Sequence, residues 1–180
     1  MIYVFLADGF EEIEAVSPID LLRRSGKEVV TVGVSGKIIN GAHQIPVTAD
    51  ITADQIVLDD KLEMIVLPGG MPGTLNLEKN EFVQKAIDYC AENSLWIAAI
   101  CAAPSILGHK NLLAGRKAAC YPGFEEHLLG ADVAYEPVVC DGNIITSRGA
   151  GAAVKFGLML VEKLVSKEVS DKLYEGIICE

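Results

Sequence analysis

Short uninterrupted apolar runs alternate along this chain with segments of helical period, and few folds satisfy that pattern. Ile2–Ala7 and Met64–Leu67 are such runs, and Glu28–Val34 and Leu95–Ile100 read as further strands. Runs of this length suit strands covered on both faces. Between them, Glu12–Ser25 carries Ile13, Val16, Ile19 and Leu22 at helical spacing and ends on Arg23, Arg24 and Gly26, a helix stop signal. Pro18 predicts a kink or a restart in that helix, with Ser17 as a cap. Glu81–Asn93 is an amphipathic helix, Ala102–Gly108 a helix start, Ala150–Leu164 a long helix and Lys167–Tyr174 a short one. Lys37–Val47 reads as a hairpin or edge element around Asn40-Gly41. Lys117–Cys120 reads as a short strand, and Val138–Thr146 as a hairpin turning at Asp141-Gly142. The alternation predicts βαβ units, a mostly parallel sheet and helices on both faces, hence an α/β sandwich. No repeat, low-complexity segment or linker interrupts it, so residues 1–180 are expected to form a single domain. In such sheets, sites form at the carboxyl ends of strands.

Charge narrows the partners. Fifteen Lys+Arg against 25 Asp+Glu give a net charge of −10, which argues against nucleic acid and against an anionic membrane surface. The longest uncharged apolar stretch, around Ser94–Gly108, falls short of the ~20 residues that cross a bilayer and contains Pro104. Met1–Ala7 has no basic leader and meets Asp8 at once, so it reads as a strand rather than a signal peptide, and a cytoplasmic location is expected. The five cysteines include no C-x-x-C pair, so neither a zinc ribbon nor a thioredoxin-type motif is present. Most are expected to be free thiols, each packing by default as a small hydrophobe.

Three strand ends carry chemistry-bearing residues. After the first strand comes Asp8-Gly9-Phe10-Glu11-Glu12-Ile13-Glu14. Glu11 and Glu12 suit a helix N-terminus through the helix dipole. Glu14, one turn in, has two placements open to it: solvent, or the crevice. A receiver-domain reading fails because Pro68, not Asp, ends the third strand. Pro68-Gly69-Gly70-Met71-Pro72-Gly73 is neither a P-loop nor a G-x-G-x-x-G fingerprint. It is a tight turn, or a loop that bares backbone N–H groups toward an oxyanion. Ala98-Ala99-Ile100-Cys101-Ala102-Ala103-Pro104 has the strand–turn–helix order of a nucleophile elbow, without the usual flanking glycines. A thiol at a helix N-terminus is expected to have a lowered pKa, which makes it both a nucleophile and an oxidation site. The histidines are His43, His109 and His127, and none follows Cys101 directly. His109 reads as a helix-end cap and His127 as a solvated residue. Protonated Glu14 is the candidate partner of the sulfur, as hydrogen-bond donor or general acid/base.

Taken with Thr146-Ser147-Arg148-Gly149, these segments resemble the ThiJ/PfpI superfamily. They are most similar to its branch containing the human parkinsonism-associated protein deglycase and its bacterial relatives. The resemblance covers nearly the whole chain with the motifs in order. It implies a flavodoxin-like three-layer sandwich and a homodimer. It implies that Glu14 hydrogen-bonds Cys101, that Cys101 oxidises readily to sulfinate, and that Gly69, Gly70 and Ala102 supply backbone N–H groups. It places Ser147, Arg148 and Gly149 near the pocket. Two positions depart from the pattern. Cys120-Tyr121-Pro122 stands where relatives often have His before Pro, so Tyr121 and Pro122 take the pocket positions, and Tyr is a poor base near neutral pH. Ala102 stands where the peptidase-like branch has His. Cys120 is either a resolving thiol for oxidised Cys101 or a packed strand residue. His43 falls near where relatives bring an arginine across the dimer interface.

Three functions compete on this reading. In the first, Cys101 adds to a small 2-oxoaldehyde such as methylglyoxal and Glu14 relays protons until lactate leaves, a glyoxalase reaction needing no metal or cofactor. Acting on glycated protein, the same chemistry is deglycation. In the second, Cys101 sulfinate marks oxidative stress or switches a chaperone. The third, a cysteine peptidase, needs a histidine within reach of Cys101, and no motif places one.

Overall fold

The computed structural model describes residues 1–179. The elements run β1 (Ile2–Leu6), α1 (Glu12–Arg24), β2 (Val29–Gly33), β3 (Ile38–Asn40), β4 (Pro46–Thr48), β5 (Ile51–Thr52), β6 (Met64–Leu67), α2 (Gly73–Lys79) and α3 (Glu81–Glu92). They continue β7 (Trp96–Ile100), α4 (Pro104–His109), β8 (Lys117–Ala118), β9 (Asp132–Val133), β10 (Val138–Asp141), β11 (Ile144–Ser147), α5 (Ala153–Leu164) and α6 (Lys167–Gly176).

Seven strands form one sheet in the order β10-β11-β7-β6-β1-β2-β5. Every pairing in it is parallel except the β10–β11 hairpin at one edge. The two-residue period of a strand divides β1 between the faces. Ile2, Val4 and Leu6 join α1 and α5 residues such as Ala15, Leu22 and Phe156 in one apolar cluster. Tyr3, Phe5 and Ala7 join Leu77 of α2, Val83 and Ile87 of α3 and Ile106 of α4 in the other. The result is the flavodoxin-like sandwich, with α1, α5 and α6 on one side and α2, α3 and α4 on the other. Strand order reverses between β1 and β6, so a crevice opens at their carboxyl ends, where the loops after β1, β6 and β7 converge.

Several local expectations are corrected. α1 does not restart at Pro18 but runs through it as one helix, so Ser17 caps nothing. The Pro18 ring faces α5 at Gly157, where an added Cβ would lie 3.0 Å from Pro18 Cα and 2.7 Å from Leu21 Cδ1. Close packing of the two helices thus supports a segment that has lost one backbone hydrogen bond. The hairpin near Asn40 pairs β3 with β4 outside the main sheet, across a loop of residues 41–45. The β10–β11 turn is Gly142-Asn143, one residue beyond the expected place. The short strand predicted over Lys117–Cys120 ends at Ala118, and the helix predicted from Ala102 begins at Pro104.

Candidate active site

Cys101 directly follows β7 and lies in the left-handed region, at φ 65°. A non-glycine residue there costs about 1–3 kcal/mol and persists only where its surroundings fix it. Both of its backbone groups are fixed. Its N–H donates to the Ser147 carbonyl at 2.9 Å, and its carbonyl accepts from the Tyr121 N–H at 2.8 Å. The sharp reversal presents the sulfur at the sheet's carboxyl edge, in a cleft of about 370 Å³ lined by Glu11, Glu14, Gly70, Met71, Ala102, Tyr121, Phe124 and Ala150.

Of the two placements open to Glu14, the fold takes the crevice: the residue is 1% exposed. Its Oε2 accepts the Gly69 N–H at 2.9 Å, and the Cys101 thiol and the Ala150 N–H stand near enough to favour its charged form. Gly69 is required by this approach. A Cβ there would lie 2.6 Å from Cys101 Cβ and 2.7 Å from Glu14 Oε2. Gly69 therefore does not join Gly70 and Ala102 as an oxyanion donor, as the sequence grouping had it; its N–H is committed to the carboxyl group. The N–H groups of Gly70 and Ala102 are the ones that reach the sulfur.

The electrostatics differ from a simple helix-terminus thiol. Burial pushes the Glu14 carboxyl up to about 7, the negative charge of Glu11 adds to the rise, and hydrogen bonds from Cys101, Gly69 and Ala150 oppose it. Burial also pushes the Cys101 thiol up to about 12, with the neighbouring Glu14 charge adding, against the pull of the Gly70 and Ala102 N–H groups. The lowered thiol pKa expected from the sequence is therefore corrected. α4 has only six residues and starts three positions after the sulfur, whereas a buried carboxylate touches it. The two groups titrate as a pair. Its first proton leaves near neutrality. The two one-proton forms, carboxylate with thiol and carboxylic acid with thiolate, differ by one proton transfer along a hydrogen bond. The Gly70 and Ala102 N–H groups stabilise the thiolate form.

The remaining predicted residues divide. Tyr121 is half exposed and lines the cleft. Pro122 and Arg148 line an adjoining hollow of about 430 Å³ that shares Tyr121 and Ala150 with it. Ser147 is fully buried and lines neither; its hydroxyl donates to the Pro137 carbonyl at 2.7 Å, and its own carbonyl holds Cys101. Cys120 is 4% exposed and packs in the apolar cluster on the opposite face of the sheet from the one Cys101 rests against. All five cysteines are free thiols. His43 turns back on its own chain, its ring Nδ1 2.8 Å from Glu12 Oε2 and its N–H donating to Glu12 Oε1 at 2.7 Å. Ligand atoms of Glu11, Glu12 and His43 lie within 4.8 Å of one another, but these hydrogen bonds already satisfy the Glu12 carboxylate. Sequence reasoning missed Met71, Phe124 and Ala150 as walls. Ala150 directly follows the Ser-Arg-Gly segment, so the signal for it was adjacent.

Known proteins resemble this chain in sequence and fold. Protein dj-1beta of Drosophila melanogaster is 33% identical over 178 residues, covering 97% of this chain and 95% of its own. Protein DJ-1 homolog B of Arabidopsis thaliana is 39% identical over 91% of this chain, which spans only 38% of that protein's length. A protein of Pyrococcus abyssi named as a deglycase is 30% identical over 83% of this chain and 90% of its own. Among solved structures, oxidized Toxoplasma gondii DJ-1 superposes with a TM-score of 0.93 at 34% identity, covering 98% of this chain and 97% of that one. The DJ-1/PfpI family model matches residues 1–163, a span that contains the Cys101 elbow, Glu14 and the diglycine turn, and the chain belongs to that family.

Proposed function

We propose that the chain is a cofactor-independent glyoxalase and deglycase acting on 2-oxoaldehydes or their adducts. The observation that carries this reading is the buried Glu14 carboxyl, titrating near 7 against the Cys101 sulfur. A group with that pKa is half ionised at neutral pH and serves as base and acid in turn. Glu14 takes the thiol proton as the sulfur attacks the aldehyde carbon, and the new alkoxide is met by the Gly70 and Ala102 N–H groups. Glu14 returns that proton to the alkoxide oxygen, then takes the proton from the former aldehyde carbon and delivers it to the neighbouring carbonyl carbon, while the hydroxyl proton passes from the first oxygen to the second. This converts the hemithioacetal into a lactoyl thioester without net oxidation, and water cleaves it to lactate and the free thiol. The name of the Pyrococcus abyssi relative supports the extension to glycated substrates. No histidine lines the cleft among the described residues, which weighs against peptidase chemistry.

A second reading rests on the same donors: a Cys101 sulfinate would be held by protonated Glu14 and the two N–H groups, serving as a stress signal or a switch for chaperone activity. Homodimerisation is part of the proposal, supported by the exposed apolar side chains Ile13, Val16, Ile38 and Ile45 on α1 and the β3–β4 hairpin. The described residues contain no helix long and apolar enough to cross a membrane.

The deciding assay is methylglyoxal consumption by wild type, Cys101→Ser and Glu14→Gln, after intact mass has shown a reduced thiol. Turnover by wild type alone supports the enzyme. Equal inertness of all three removes it and leaves the oxidised cysteine as the functional species.

A further inference from the structure

Two histidines that sequence reading leaves as unrelated surface residues meet in the fold. His109 is the last residue of α4, and His127 ends a short 3-10 turn at Glu125–His127. His109 Nε2 lies 3.1 Å from His127 Nδ1, and the rings meet edge to face at 5.2 Å. On its other side, His109 Nδ1 is 2.5 Å from Glu78 Oε1 of α2. The approach is built into the backbone. A Cβ at Gly108 would lie 2.0 Å from the His127 carbonyl oxygen, so a bare position there lets α4 press against the 3-10 turn.

We propose that His109 and His127 form a binding site for a zinc-like divalent transition ion, with Glu78 orienting His109 from behind. The Glu78 carboxylate accepts the Nδ1 proton of His109, which fixes the tautomer and leaves the Nε2 lone pair facing His127. That is the carboxylate–histidine arrangement that raises ligand basicity at metal centres. Imidazole nitrogens bind zinc at about 2.0–2.1 Å, so two nitrogens 3.1 Å apart subtend roughly 100° at an ion between them, near the tetrahedral angle. Binding replaces the hydrogen bond between the two rings: both turn so that their lone pairs converge on the ion, and the His127 Nδ1 proton moves to Nε2 through solvent. His109 is partly exposed, which leaves the other coordination positions to water.

The site adjoins the cleft. The Phe124 ring packs 5.7 Å from the His127 ring and also forms part of the cleft wall. An ion held between α4 and the 3-10 turn clamps that wall, and this role stands apart from what Cys101 catalyses. No step above uses Glu78, His109 or His127.

The test is a titration of chelator-stripped protein with zinc chloride, followed through the ring nitrogens of ¹⁵N-histidine-labelled wild type. The expected result is movement of His109 Nε2 and His127 Nδ1, and a raised unfolding temperature that His109→Gln abolishes. Glu78→Gln should weaken zinc by about 10–100-fold, the usual effect of removing an outer carboxylate. Movement of His43 alone, or zinc uptake with no histidine signal changing, overturns the site. Unchanged affinity in Glu78→Gln overturns the orienting role of the carboxylate. The wild-type spectrum decides the site itself without any variant having to fold.

Discussion

Replacing Glu14 by Gln should change stability in a pH-dependent way whose sign follows from burial. The Glu14 carboxyl is raised from 4.5 to about 7 in the fold. A group raised in this way favours the folded state when protonated. Its contribution is fully present below the unfolded pKa of 4.5 and is lost as pH rises through 7. At 1.36 kcal/mol per pH unit, the loss is roughly 3 kcal/mol across that window. With Glu14 1% exposed, solvent screening takes little from that figure. Gln keeps the shape, accepts from Gly69 and carries no charge. The experiment is urea unfolding of wild type and Glu14→Gln at steps from pH 4 to pH 8.5. Subtracting the two curves cancels every other titrating group far from the site. The variant's stability relative to wild type should climb by about 3 kcal/mol between pH 4 and pH 8, mostly between 4.5 and 7. A flat difference, or one that falls with pH, would refute the claim that a buried charge governs this pair.

Other outcomes follow from the same geometry. Gly69→Ala forces a methyl group against Cys101 Cβ and Glu14 Oε2, so it should cost about 1–3 kcal/mol in urea unfolding and abolish thiol-dependent activity. Mild peroxide should add roughly 32 Da at Cys101, two oxygens, as read by peptide mass; Glu14→Gln or a blocked thiol should reduce that product, and equal oxidation at all five cysteines would contradict a selective site. Ile13→Glu in the exposed apolar row of α1 should convert a dimer to a monomer by light scattering, with the circular dichroism unchanged. An unaltered mass would place the dimer surface elsewhere.

The fold was largely legible because its information is local. Apolar runs at Ile2–Ala7 and Met64–Leu67 allowed no other placement than buried strands, and the Arg23-Arg24-Gly26 stop closes α1 where the structure closes it. Elements that depend on tertiary neighbours were not. β5 and β9 are two-residue pairings with no periodicity to read, and α2 begins inside a Pro-Gly segment that signals a turn. The continuity of α1 through Pro18 is hidden from the sequence for the same reason. The local penalty of Pro18 is real, but the partner that overrides it, Gly157, lies 139 positions away in sequence.

At the site, residue types were legible and states of charge were not. The Ile100-Cys101-Ala102 elbow and the diglycine turn can be picked out by order and composition, because a sharp turn tolerates few side chains. The pKa of a thiol depends on what is buried beside it, and here that is a carboxyl group from another strand end. A cysteine at a helix start suggests an acidic thiol; a cysteine touching a buried Glu suggests a shared proton. The second description has a chemical consequence that the first lacks. A permanently ionised thiolate would need no base and would leave Glu14 only a structural task, whereas a shared proton lets the carboxyl group serve, in the proposed reaction, as the acceptor at each attack and the donor at each release. The same sharing explains why Gly69 is better spent on Glu14 than on an oxyanion. The hydrogen bond from its N–H fixes the carboxyl group that, in the proposed reaction, serves both the sulfur and the carbon skeleton of the substrate.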